Sequence, residues 1–160
     1  MAGRNTTDDI ELAPSDIPAR AEYERDFYSW SREQARLVRE GRWDAVDREN
    51  LAEEIESLGR TEFAKLESAL RVLLMHMLKW DHQPDRRTRS WALSIKDQRL
   101  EFAEVLADNP GLKSRQDEAL ARAYQRARIA AAKETGLDEE IFPSACPYSW
   151  EDIAARRFVI

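Results

Sequence analysis

Cysteine, glycine and histidine are the scarce residues of this 160-residue chain, and each scarcity closes off a kind of chemistry. Cys146 stands alone, so neither an intrachain disulfide nor a thiolate cluster can form. Its position between Ala145 and Pro147 in an irregular stretch suits inert packing better than nucleophilic catalysis. Five glycines leave little material for a phosphate-cradling loop, and neither G-x-S-x-G nor HExxH occurs. The two histidines, His76 and His82, are six residues apart. On a regular helix they would point about 120° away from each other, so they cannot share an ion. His76 has Val72, Leu73, Lys79 and Trp80 at the offsets that share its face, and none of these would ligate a divalent ion. Glu53 and Glu56 have chelating spacing, but acidic helices produce that pattern by chance. No metal and no cofactor is expected.

Long apolar runs are also missing. The most hydrophobic stretch, Val72 to Leu78, is interrupted by His76 and falls far short of the roughly 20 residues of a membrane span. The opening MAGRNTTDDIELAPSDIP has no apolar core of a signal peptide, and a cytoplasmic setting is expected. Its prolines and small polar residues show no periodicity, so residues 1–20 are expected to form a loosely attached tail. A single helical domain is expected over 21–160.

What the chain does have is charge and helical periodicity. Charged residues make up 35%, with a net charge of -6, which argues against general affinity for nucleic-acid phosphates. Tyr23, Phe27, Trp30, Gln34, Leu37 and Val38 recur at helical spacing, and Gly41 sits where a helix end needs it. A second helix is predicted from about Asp44 to Leu58, ended or kinked at Gly59. A third, capped by Thr61, runs to Trp80 and is apolar almost all round from Leu70 onward, which places it centrally. Pro84 and the following arginines break the pattern. A fourth helix follows from about Arg89 to the Asp108-Asn109-Pro110-Gly111 stop, and an Ala-rich fifth ends at Gly136. The tail EEIFPSACPYSW is irregular and aromatic, leading to a short helix capped by Ser149. No strand alternation occurs, so the expected fold is an all-α, up-and-down bundle of about five helices with an irregular C-terminal tail.

Two constellations stand out as candidate sites. Glu54 falls on the apolar stripe of the second helix with Asn50 one turn before it, while His76 and Lys79 interrupt the most apolar stretch of the chain. Buried charge needs a partner. Antiparallel packing of the second and third helices around Gly59-Arg60 would bring Glu54 toward Arg71. The same packing would bring His76 or Lys79 toward Asn50 or Asp47. These six residues are expected to form a network that fixes helix register, with His76 as general base near neutral pH as the functional alternative. The second constellation is basic: Arg86, Arg87, Arg89, Lys96 and Arg99, with Trp91 interleaved. Ion pairs with the carboxylates of the second helix are favoured over nucleic-acid contact.

The runs DFYSW, ENLAEEIESLGR and LESALRVLLMHMLKW, the Pro84-to-Trp91 segment with its RSW, and the tail ETGL…FP…CPYSWEDI resemble a bacterial family, Domain of Unknown Function 29. The likeness covers about Tyr23 to Ile153. It implies a mostly helical bacterial protein, often present in several copies per genome, without an established activity from which catalytic residues could be transferred. The expected role is a non-enzymatic module that binds a protein partner or itself, a homodimer included. The alternatives are a small-ligand binder or enzyme at the His/Lys/carboxylate cluster and, behind it, nucleic-acid binding through the arginines.

Overall fold

The computed structural model describes residues 19–159, and most of the expected N-terminal tail lies outside them. Six α-helices occur among the described residues, without strands: α1 (Ala19–Arg25), α2 (Phe27–Arg39), α3 (Arg48–His82), α4 (Arg89–Asp108), α5 (Gln116–Thr135) and α6 (Trp150–Ala155). The fold is all-α with an irregular C-terminal segment. None of these helices is long and apolar enough to cross a membrane. The chain divides into two compact units, the first reaching Ser57 and the second beginning at Leu58.

In the first unit, the predicted opening helix is two helices. Asp26 interrupts it with a non-helical backbone, and its carboxylate accepts from the Ser29 N–H to start α2. Trp30, Gln34 and Leu37 recur every three or four residues and form the buried stripe of α2. The helix ends as the sequence predicts. Gly41 has φ of 68°, its N–H reaches the Val38 carbonyl, and the Arg42 N–H reaches Leu37. This paired closure needs a left-handed residue, and glycine adopts that conformation without steric cost.

The main correction concerns α3. Instead of two helices hinged at Gly59, one helix of 35 residues runs from Arg48 to His82, and Thr61 lies inside it, not at a cap. A helix-interior glycine costs only about 1 kcal/mol relative to alanine. The good helix formers on both sides offset that, and no proline or capping geometry stops the chain.

In the second unit, α3 is the central element. Leu66, Leu70, Leu73, Leu74, Met77 and Leu78 are fully buried and contact one continuous core with Ile95, Val105 and Leu106 of α4. Helix α5 contributes Ala119, Ala123, Ala127 and Ala131 at four-residue intervals, all with no exposed surface. Side chains this small let the backbones approach closely. Phe142, Tyr148 and Ile153 bring the C-terminal segment into the same core. Ser149 caps α6 as predicted, and Asp152 completes a reciprocal capping box. Gly136, with φ of 73°, closes α5.

Candidate functional site

Because α3 is continuous, the six residues expected in one network do not share one. Positions 54 and 71 lie on the same helix. They are not opposed across a hairpin. Each polar group instead finds a partner elsewhere.

Asp47, Asn50 and Glu54 belong to the first unit. Asp47 precedes α3 and binds its first turn, accepting from the Asn50 N–H at 3.4 Å and from Asn50 Nδ2 at 2.7 Å. The buried Trp30 donates its indole N–H to the same carboxylate at 3.3 Å, and the Asp47 N–H donates to the buried Gln34 side chain at 2.8 Å. Every one of these groups satisfies another, as burial requires. Glu54 accepts from the Tyr23 hydroxyl at 2.5 Å, which pushes the phenol up to about 12. Tyr23, Phe27 and Trp30 pack edge to face or tilted, with centroids 4.7–5.9 Å apart.

His76 and Lys79 lie in the second unit, where the cluster is built from three helices. Lys79 of α3 is 6% exposed. Its ammonium meets Glu134, in the last turn of α5, at 2.5 Å, and sits 4.4 Å from the centre of the Trp91 ring of α4. A carboxylate and a π-face both select the cation. His76, one turn earlier, is half-buried, and its Nδ1 is buried without a hydrogen-bond partner. Burial pushes its pKa below the ordinary histidine value, Lys79 pushes it further in the same direction, and Glu134 opposes them. Arg71 is half-buried and forms no ion pair among the described residues, so the expected Glu54–Arg71 pairing is absent. Periodicity misses Glu134 altogether, and it does not show that Trp91 faces Lys79. Glu134 is a surface-type residue in the last turn of an Ala-rich helix, and only the packing of α5 on α3 identifies it.

A second polar cluster, centred on Asp81, went unsuspected. Arg156 grips its carboxylate with two bonds of 2.5 and 2.9 Å, and the buried Tyr148 donates its hydroxyl at 3.0 Å. Burial and the Asp81 charge drive the Tyr148 phenol far up. This fork ties the C-terminal segment to the end of α3, and Phe158 packs edge-on to Trp80 at 5.4 Å. Burial likewise pushes the Cys146 thiol up, consistent with packing and against a reactive thiolate.

The basic constellation does not form the expected ion pairs. Arg87 donates to the Trp80 carbonyl at 2.9 Å and stacks on the Trp80 ring. Arg99 donates to the carbonyls of Ile153 and Asp152, at 2.6 and 2.9 Å. Arg86, Arg89 and Lys96 are exposed, and none of the five pairs with a carboxylate among the described residues. Orphan carbonyls of turns and helix ends attract arginine as well as acids do. Trp91 presents a ring face to Lys79.

Among the described residues, no group of three or more His, Cys, Asp or Glu is arranged to hold a metal. The outward face of α4 is apolar in part: Leu93 is 52% exposed and Leu100 57%, on the side opposite buried Ile95 and Leu106. No curated protein and no solved structure shows a significant match to the chain. The model of the family described as "Domain of unknown function DUF29" matches residues 22–159, nearly the whole length, and the chain belongs to that family.

Proposed function

We propose that this protein is a non-enzymatic, protein-binding helical module whose working surface is the outward face of α4. The observation that carries the reading is the pair Leu93 and Leu100, seven residues apart and each more than half exposed. Two helical turns bring them back to the same face, with Lys96 and Asp97 between them. Such a mixed apolar and charged stripe suits the groove or helix of a protein partner. Lys79 supports the non-enzymatic side of the reading, since its ammonium is occupied by Glu134 and Trp91.

The test compares the wild-type chain with Leu93→Asp/Leu100→Asp, and with Ile129→Asp as an exposed control on another helix. Stoichiometric partners recovered from the native host, including a second copy, should be lost with the double variant and retained with the control. Retention by all three proteins would refute the assignment to α4. A second reading, a small-ligand or catalytic site at His76, is favoured by one observation, the buried and unpartnered Nδ1. A ligand donating a proton there would shift the His76 ring resonances in NMR, whereas a purely structural histidine would titrate only with pH.

A further inference from the structure

A cleft on the second unit combines apolar walls with positive charge that no described carboxylate neutralises. It lies between α4, α6 and the turn before α5, with a volume of about 400 Å³, within the range of small-molecule sites. Phe102, Leu106 and Ile153 line it, and Ala103 on its edge is too short to cover them. The only charged residues in the lining are Arg99 and Lys113, and no acidic residue contributes to it. In a chain with 31 acidic residues and 25 basic ones, that segregation is a local reversal of sign.

Neither cation is balanced. Among the described residues, the side chain of exposed Lys113 has no polar partner, and Arg99 has no ion pair. The half-buried Arg99 guanidinium is met by the carbonyl dipoles of Ile153 and Asp152 and by the face of the Phe158 ring, 5.4 Å from its centre, but by no carboxylate, and its neighbour Arg156 disfavours its charge. A partly desolvated cation held by dipoles and a ring face alone gains from a full negative charge, and charge-assisted bonds are the stronger kind. The rest of the lining offers aliphatic and aromatic surface. An anionic head on an aliphatic chain matches both halves.

We propose that this cleft binds a single-chain amphiphilic anion, an aliphatic carboxylate whose tail lies against Phe102, Leu106 and Ile153 and whose head is drawn in by the positive charge that Lys113 and Arg99 place on the lining. Trp150, stacked on Phe102 with centroids 5.8 Å apart, is a built-in reporter of occupancy.

The experiment titrates the full chain with decanoate below its micellar concentration, following heat and tryptophan fluorescence, beside 1-decanol and decyltrimethylammonium. One decanoate per chain is expected, bound at least tenfold tighter than decanol, with no binding of the cation. Lys113→Glu should weaken decanoate about tenfold and leave decanol unchanged. Ala103→Trp should weaken both by blocking the cleft, with Ala107→Trp as the substitute if that variant loses its thermal transition. Equal binding of the three amphiphiles, absence of saturable decanoate binding, or binding indifferent to the blocking tryptophan would each overturn the proposal.

Discussion

Substitution of Glu134 by glutamine should destabilise the protein more than removal of the lysine it serves. The Lys79 side chain is 7% exposed and the Glu134 side chain 45%. Breaking a fully buried ion pair by deleting one partner costs about 3–5 kcal/mol, whereas exposed pairs are worth about 0–1. Glu134 is half in water, and the Trp91 ring would still face the ammonium, so Glu134→Gln is expected to cost about 1–2 kcal/mol. Lys79→Met removes the charge that needs a partner and leaves an unbranched chain of similar length among apolar neighbours. Its expected effect is within about 1 kcal/mol of zero, because replacing buried ion-pair members by hydrophobic residues is often neutral. In the double variant the glutamine should then be nearly free of cost, giving a coupling of about 1 kcal/mol or more. Urea denaturation of the four proteins, monitored by far-UV circular dichroism, measures each value. Strict additivity, or a Lys79→Met penalty exceeding that of Glu134→Gln, would refute the role given to this pair.

Four further outcomes follow from the same physics. Gly59→Ala should stabilise the chain by about 1 kcal/mol, since Gly59 is helical and an added Cβ meets nothing within 4 Å. Gly41→Ala should cost about 1 kcal/mol through its positive φ; thermal melts of both decide, and a destabilising Gly59→Ala would mean that α3 is broken there. For His76, the folded pKa lies below the ordinary 6.5, so below that pH the unfolded chain binds the extra proton and stability falls. The loss begins as pH drops through about 6.5 and levels off below the folded pKa, and the stability difference between wild type and His76→Gln measured from pH 7.5 to 5 should show it. Asp81→Asn removes the negative charge and one of the two acceptor oxygens that serve Arg156 and Tyr148, at a cost of about 1–3 kcal/mol. Hydrogen exchange should quicken in α6 before it does in α3, and uniform protection would contradict the tie.

The amino-acid pattern alone determined the helical class and several boundaries, because those depend on short-range physics. Gly41 and Gly136 end their helices, Ser149 caps α6, and Pro84 and Pro110 interrupt the chain through steric effects that act within a few residues. The burial of Lys79 was also legible, since a charge inside an apolar helix face has nowhere else to go. Gly59 was not legible. A lone glycine is equally compatible with a helix end and a tolerated interior position, and the free-energy difference is set by what the flanking turns pack against. Tertiary structure decided the partners. Glu134, Asp81 and Arg156 look like ordinary surface residues until distant segments bring them within a few ångströms of their counterparts. The need for a partner is an intrinsic property of a buried charge, but the partner's identity is a property of the packing.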